Sequence, residues 1–408
     1  MRVEMIERTK YLDELNANID NEFIKVITGV RRSGKSVLMK QIRDVINHRA
    51  DVTDEQIIYI NFESLMFSDL ANDFKVFYQY LVEKVNSKNK HYFFFDEIQL
   101  ANDWQKVVNS LRVDFDCDIY LTGSNASILS GELATLLSGR YVQIQVFPFS
   151  FKEYLQVRQL AQSVSTTNME TALHDYMMYG AMPSVITTTT DTSQQLKFLS
   201  DIFDSIMLRD VSIRSSAKQV FLLRLIVLYL YDATSSEISV TTLQKRLQGS
   251  GFNISTTLLR EYLSLIESAF LFYRVDQTQL RGKQRLRASA KYYSVDNGLW
   301  QSQVENNYSN LGNRLEAIVA VELLRRGYAL KYGNVDQSEI DFVAIKNGKI
   351  AYFQVAYRLP ENSDREIENL LKIEDNHSKT LILGVDEGIS DIKGISIVSA
   401  AKWLLSSE

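Results

Sequence analysis

Gly29-Val30-Arg31-Arg32-Ser33-Gly34-Lys35-Ser36 decides the fold of this chain, because it follows the pattern G-x-x-x-x-G-K-[ST]. Residues 23–28 before it are apolar and β-branched, which predicts a buried strand. Residues 37–42 after it contain no helix breaker and predict a helix. A strand, a glycine-rich loop and a helix, in that order, form the context in which this pattern binds phosphate.

The residue types of the loop explain how it binds an anion. Gly29 and Gly34 permit positive φ and a close approach of the backbone. Successive N–H groups then surround a phosphate, and the start of the next helix adds its positive dipole end. Lys35 reaches the β- and γ-phosphates, and the hydroxyl of Ser36 is a ligand for Mg²⁺. The loop therefore predicts a site for ATP and Mg²⁺.

Two carboxylates follow a later apolar run. Residues 56–62 predict a second strand, and residues 91–95 predict a third that ends in Asp96-Glu97. Ligands bind at the carboxyl ends of parallel strands, so both acids are expected beside the loop. In this Walker B pattern Asp96 holds Mg²⁺ through water, and Glu97 polarises the attacking water. In isolation, the same residues fit a strand that ends in a solvated acidic turn.

Polar residues also follow the fourth predicted strand, residues 118–122. Ser124 and Asn125 lie at its tip, where a side chain can reach the γ-phosphate or the attacking water, the role called sensor 1. Ser124 fits the N-cap of the following helix equally well. That helix is predicted over residues 126–137, and a fifth strand over residues 141–146.

Composition excludes several classes of protein. With 408 residues, 45% hydrophobic and 23% charged, the chain is long enough for two or three globular domains. The net charge of −5 predicts no global attraction to nucleic acid or membrane. A single cysteine, Cys117, excludes a disulfide framework and favours a reducing cytoplasm. The longest apolar run is shorter than the roughly 20 residues of a membrane span.

A set of phrases resembles a prokaryotic family of AAA+ ATPases. They are Gly29 to Ser36, Phe95 to Gln99, Leu121 to Ser124, Ser138 to Arg140, Pro148 to Tyr154, Tyr179 to Pro183 and Leu208 to Asp210. The resemblance covers nearly the whole chain. It implies an α/β fold with a parallel P-loop sheet in residues 1–195, a helical and winged-helix domain in residues 196–290, and a restriction-endonuclease-like domain in residues 291–408.

The resemblance also suggests a role for Arg140, which stands where such ATPases often carry an arginine finger. A finger neutralises charge on the transferred phosphoryl group and usually acts across a subunit interface, which implies a homo-oligomer. Otherwise Arg140 is a surface arginine near a helix C-terminus. Arg31 and Arg32, inside the loop, are alternative cations.

The middle of the chain predicts three helices and a two-stranded wing. The wing carries a basic segment that is a candidate for contacts with DNA phosphates, or else a solvated loop or docking surface. Its cations are Arg281, Lys283, Arg285, Arg287 and Lys291.

The last part resembles a restriction-endonuclease core whose metal site is degenerate. Asp341 and a glutamate of a preceding helix, Glu316 or Glu322, are candidate ligands, and these two glutamates lie about 120° apart on the helix. Gln354 replaces the second acid and Ala356 replaces the lysine, so no positioned cation is expected. We therefore predict a cytoplasmic ATPase that acts on a nucleic-acid or protein partner, with a slow nucleotide switch or an ATP-gated nuclease as alternatives.

Overall fold

A computed structural model describes residues 6–86, 89–129, 139–162, 169–211, 217–280, 289–304, 310–335, 338–359 and 365–406. The contacts between its residues divide the chain into two units. The first comprises residues 2–146 with 268–270, and the second comprises residues 147–267 with 271–408. The three-domain division with boundaries at 195 and 290 stays a prediction.

The first unit is built on five parallel strands in the order β2-β3-β4-β1-β5. The strands are β1 (Ile24–Thr28), β2 (Ile57–Asn61), β3 (His91–Asp96), β4 (Cys117–Gly123) and β5 (Tyr141–Gln145). Each of them coincides with a run that the sequence predicted, because strands covered on both faces are rich in apolar residues. Every residue of β1 and β3 is buried.

Helices cover both faces of this sheet. They are α1 (Thr9–Asn16), α2 (Lys35–Asn47), α3 (Ser68–Asn72), α4 (Phe74–Val82) and α5 (Trp104–Asp114), with 3₁₀ turns at Asp54–Gln56, Leu65–Phe67, Ile98–Leu100 and Ala126–Leu129. Successive residues of a strand point to opposite faces, so Val26 packs into one core beside α4 and α5, and Ile27 packs into the other beside α1 and α2. Of the helix predicted over 126–137, residues 130–138 lie outside the described residues.

The strand register collects four strand ends at one edge. Thr28 pairs with Gly123, and Asn61 pairs with Asp96. The segments that follow these ends therefore lie side by side at the carboxyl edge of the sheet, where parallel sheets bind their ligands.

The second unit contains a nine-stranded sheet in the order β13-β14-β12-β11-β10-β9-β7-β8-β6. Its strands are β6 (Ile238–Ser239), β7 (Phe272–Gln279), β8 (Ser289–Ser294), β9 (Ala329–Val335), β10 (Ser338–Lys346), β11 (Lys349–Ala356), β12 (Ser378–Leu383), β13 (Asp391–Ile392) and β14 (Ile395–Ser399). The helices are α6 (Phe151–Gln162), α7 (Met169–Tyr179), α8 (Pro183–Ile186), α9 (Thr192–Ile206), α10 (Ala217–Asp232), α11 (Val240–Gly249), α12 (Thr256–Ser268), α13 (Asn297–Gln301), α14 (Leu311–Arg325), α15 (Arg365–Leu371) and α16 (Ala400–Leu405).

The two strands predicted as a separate wing belong to this larger sheet. β7 pairs with β8 on one side and, in parallel, with β9 on the other. The wing interpretation missed this because pairing partners distant in sequence leave no local signal. The predicted boundary after residue 290 consequently falls inside β8.

None of the helices within the described residues combines the length and the apolar character that a bilayer crossing requires.

Candidate functional site

The glycine-rich loop joins the end of β1 to the start of α2 at the carboxyl edge of the five-stranded sheet. Gly29 has φ 143°, and a Cβ atom there would lie 2.1 Å from the carbonyl oxygen of Val146, so only glycine fits. Gly34 has φ 99° and stands at the N-cap of α2, where the first N–H groups of the helix face the loop. The loop thus has the backbone shape that an anion site requires.

Lys35 and Ser36, at the start of α2, lie against this loop. The Nζ of Lys35 donates to the carbonyl oxygens of Gly29 and Val30 at 3.0 and 3.1 Å, and the side chain is buried. The hydroxyl of Ser36 donates to Oδ1 of Asp96 at 2.9 Å. A hydroxyl and a carboxylate side by side supply the oxygen ligands that Mg²⁺ prefers, so the chemistry of this pair fits that ion.

Asp96 is fully buried and accepts hydrogen bonds from the neighbouring strands β2 and β4 and from α2. Oδ1 accepts from Ser36 and from the hydroxyl of Thr122, and Oδ2 accepts from the hydroxyl of Tyr59 at 2.9 Å and from the amide of Asn61 at 3.2 Å. Burial, and then the neighbouring carboxylate, raise the pKa of Tyr59, so its hydroxyl remains a donor. Four donors hold Asp96 in one orientation.

Glu97 follows directly and turns the chain away from β3. Its φ of 53° lies in the left-handed region, and its N–H donates to Oγ1 of Thr122 at 2.9 Å. Its carboxylate accepts from Nε2 of Gln99 at 2.5 Å. A non-glycine residue held at positive φ often marks a functional position.

Ser124 and Asn125 follow the end of β4 at the carboxyl edge of the sheet, the position that the sequence predicted for them. Both side chains are buried, and Oγ of Ser124 lies 3.5 Å from Nε2 of Gln99. The carbonyl of Asn125 accepts from the N–H of Ile128 in the 3₁₀ turn that follows. The tips of β3 and β4 are therefore linked through side chains.

Arg140 is not brought to this site within one chain. Its carbonyl accepts from the N–H of Ile24, which places it at the start of β5, on the amino edge of the sheet. The five residues of β1 separate that edge from the loop by roughly 16 Å. Arg32 is exposed, and Arg31 lies 3.4 Å from Oε1 of Glu63.

Sequence reasoning missed several residues of the site. The guanidinium of Arg8 is buried and donates to the carbonyl of Ser33 at 3.0 Å, so a cation from before α1 lies under the loop. The sequence around Arg8 did not indicate this role, because its hydrogen-bond partner Ser33 is distant in the sequence. Thr122, Tyr59 and Gln99 are polar residues at or near strand ends, a position that could have singled them out.

Lys291 was predicted to contact phosphate from an exposed wing, and this prediction is wrong. Its side chain is 1% exposed, and its Nζ lies 3.1 Å from Oε1 of Glu316, 2.6 Å from Oε1 of Glu339 and 3.9 Å from Oδ1 of Asp341. The hydroxyl of Tyr293 donates to the same oxygen of Glu316 at 2.6 Å. The other four cations of the predicted basic segment lie outside the described residues.

The expectation that no positioned cation lies near Asp341 is also wrong. Burial, and then Glu316, raise the pKa of Asp341, while the ammonium of Lys291 lowers it. Burial lowers the pKa of Lys291, but the surrounding carboxylates outweigh it and raise that pKa. We call Lys291, Glu316, Glu339 and Asp341 the lysine–carboxylate cluster.

Of the two predicted glutamates, Glu316 faces Asp341 through Lys291. Glu322 instead pairs with Arg325, at the end of its own helix, and with Arg326, the residue that follows the helix. Gln354 receives the N–H of Asp341 at 3.2 Å and donates to Glu366 at 2.6 Å. Among the described residues, no group of three or more His, Cys, Asp or Glu is arranged to hold a metal ion.

Two family models match the chain. One, described as an AAA domain, matches residues 21–155, and the other, described as a domain of unknown function (DUF8612), matches residues 170–310. The expectation of an AAA-type α/β domain with a parallel sheet in the N-terminal region is confirmed. Neither match supports the expected restriction-endonuclease-like domain.

Two relatives are similar over all or nearly all of their length. An uncharacterized protein of Haemophilus influenzae is 43% identical over 406 residues, which are 99% of this chain and 100% of that protein. An uncharacterized protein of Methanocaldococcus jannaschii is 30% identical over 430 residues, covering 99% of this chain and 94% of that protein. A solved Walker-type ATPase of Pyrococcus abyssi superposes with a TM-score of 0.45 and 15% identity, over 74% of this chain and 96% of that one.

Proposed function

The chain belongs to the same family as these Haemophilus influenzae and Methanocaldococcus jannaschii proteins, and we propose that it binds ATP with Mg²⁺ and hydrolyses the ATP. The observation that carries this proposal is the meeting of three side chains at one sheet edge. The ammonium of Lys35 lies on the glycine-rich loop, and the hydroxyl of Ser36 lies 2.9 Å from the carboxylate of Asp96.

Each residue has a role that follows from its chemistry. The N–H groups of residues 29–36 and Lys35 bind the phosphates, and Ser36 and Asp96 hold Mg²⁺, which neutralises phosphate charge when bound. Glu97 polarises the attacking water, and Ser124 and Asn125 contact the water or the γ-phosphate from the tip of β4.

The test is ATP binding and turnover in matched variants. We expect Lys35→Ala to abolish the heat of Mg-ATP binding, whereas Lys40→Ala, which changes an exposed lysine of the same helix, binds normally. We expect Glu97→Gln to bind ATP and to abolish steady-state turnover. No heat with the parent protein, or parental behaviour of Lys35→Ala, would end the proposal.

A slow nucleotide switch is the second candidate, and the position of Arg140 favours it for an isolated chain. With Arg140 on the amino edge, a lone subunit does not present this cation to its own phosphate site. Turnover that remains slow at every protein concentration, combined with a nucleotide-dependent change in protease sensitivity, would favour the switch. Turnover that rises with concentration favours an assembled ATPase.

We propose that ATP drives a change acting on a nucleic-acid or protein partner. The basic segment that supports a DNA partner consists of Arg281, Lys283, Arg285 and Arg287, since Lys291 is buried. DNA is expected to raise the ATPase rate, and Arg285→Ala or added salt to weaken that effect. Equal rates with every nucleic acid tested would favour a protein partner.

We propose that the second unit includes a degenerate restriction-endonuclease-like core. Its support is the meeting of α14, β10 and β11. Glu316 and Asp341 lie against Lys291, and Gln354 accepts the N–H of Asp341. We expect no DNA cleavage with Mg²⁺ or Mn²⁺. Cleavage that Asp341→Ala abolishes would instead establish an ATP-gated nuclease.

A further inference from the structure

The orientation of the Glu97 carboxylate depends on contacts beyond its own backbone. Glu97 has a φ of 53°, and its N–H donates to Oγ1 of Thr122 at 2.9 Å, which fixes the main chain. The side chain still has three rotatable bonds after that. A carboxylate that polarises water needs a defined position, because small misplacements of a reacting group cost large factors in rate.

Gln99 supplies the contact that fixes this side chain. The 3₁₀ turn Ile98–Leu100 brings Gln99 back toward Glu97, and its Nε2 donates to Oε2 of Glu97 at 2.5 Å. The same Nε2 lies 3.5 Å from Oγ of Ser124, at the tip of β4. Gln99 therefore bridges the ends of β3 and β4.

Gly123 makes room for this bridge. A Cβ atom built on Gly123 would lie 2.9 Å from Oε1 of Gln99 and 2.8 Å from Cδ1 of Ile128. Both distances are shorter than real Cβ contacts, so any side chain at position 123 would displace the amide. The positions of Gly123 and Gln99 depend on each other although the two residues are 24 positions apart in the sequence.

The cost of burying this amide argues against a purely structural role. Among the described residues, Oε1 of Gln99 is buried and has no hydrogen-bond partner. An unpaired buried carbonyl destabilises a fold, and an apolar side chain of the same shape would avoid the penalty. The donor end of the amide is the part that the site uses.

We propose that Gln99 is a positioning residue, which holds one carboxylate oxygen of Glu97 and leaves the other for the attacking water. The inference rests on the proposed ATP hydrolysis and adds a residue to it. No bond is made or broken by Gln99 itself. Its contribution is to the rate of the chemical step and not to the affinity for ATP.

The first test is Gln99→Met in the full-length protein. Methionine keeps the length of the side chain and removes both the donor and the unpaired carbonyl. We expect kcat to fall by about tenfold to a hundredfold while KM and the Kd for Mg-ATP stay unchanged. The melting temperature is expected to stay equal or rise, which separates positioning from folding.

The second test, Gly123→Ala, displaces the side-chain amide of Gln99 and leaves Gln99 itself in place. Gly123 is not among the residues with positive φ, so alanine can adopt its backbone conformation. Both atoms that the new methyl group meets belong to flexible side chains, which can move away. We expect Gly123→Ala to reproduce the loss in kcat.

The outcomes are distinguishable. If the parent turns over ATP no faster than Lys35→Ala, the proposed function and this inference fail together. If the parent is active and Glu97→Gln is not, but Gln99→Met retains the parental kcat, only this inference fails. A rise in kcat in Gln99→Met would also overturn it, because Gln99 would then restrain Glu97.

Discussion

Arg140 provides a sharp test of how many chains complete one catalytic site. It begins β5 on the amino edge of the sheet, and the glycine-rich loop lies roughly 16 Å away at the carboxyl edge. An arginine side chain extends about 7 Å from its Cα atom. If Arg140 is an arginine finger, it therefore serves the site of a neighbouring subunit, and Arg140→Ala is expected to lower kcat by about a thousandfold.

The ATPase rate expected of a mixture of two inactive variants can be calculated. Arg140→Ala subunits retain Lys35, and Lys35→Ala subunits retain Arg140. In a head-to-tail assembly of an equal mixture, about half of the sites have the lysine and about half of those have a neighbour with the arginine. We expect about a quarter of the parental ATPase rate, whatever the number of subunits.

The assay is steady-state turnover after the two variants have been mixed and allowed to exchange subunits. The control is Arg140→Ala mixed with the Lys35→Ala/Arg140→Ala double variant, which supplies no arginine and should stay inactive. A mixture no more active than its components refutes action across an interface. Parental activity of Arg140→Ala alone refutes the finger itself.

Other predictions concern buried contacts. Thr122→Val removes the hydroxyl that serves both Asp96 and Glu97, so ATPase assays should show kcat lowered about tenfold or more, and thermal melting a loss of about 1–3 kcal/mol. Arg8→Ala removes a cation from beneath the loop and is expected to weaken Mg-ATP binding about tenfold in calorimetry, with Arg8→Lys intermediate. Lys291→Met should destabilise the protein by about 3–5 kcal/mol near neutral pH in denaturant unfolding. The loss of unfolding free energy in Lys291→Met should shrink at acidic pH. The reason is that the raised pKa of Asp341 in the folded state favours folding at low pH and disfavours it as pH rises. A loss independent of pH would contradict this prediction.

Much of the first unit was predictable because its signals are local. Each strand is a mainly apolar or β-branched run, and the phosphate loop, Asp96 and Glu97 adjoin such runs in the sequence. The parallel arrangement then brings strand ends to one edge whatever the connections between them. For the same reason, the sequence predicted Ser124 at the tip of β4.

The contacts that sequence reasoning missed depend on pairing between distant segments. Lys291 meets Glu316 and Asp341, which follow it by 25 and 50 residues, only because β8 and β10 belong to the same sheet as β7 and β9. In the sequence it stands among arginines and lysines and resembles a solvent-exposed residue. Its burial is a property of the register and not of its neighbours in the chain.

Because β7, β8 and β9 belong to one sheet, the position at which the protein is truncated matters. A gene shortened after codon 290 would delete β9 and four of the six residues of β8, leaving β7 without a complete partner on either side. Bare strand edges of this kind recruit other chains, so the truncated product is expected to precipitate. It would also lack Asp296, whose carboxylate accepts the N–H of Ala181 at 2.7 Å. Fragments intended for crystallisation or partner screens should therefore carry residues 147–408 without interruption.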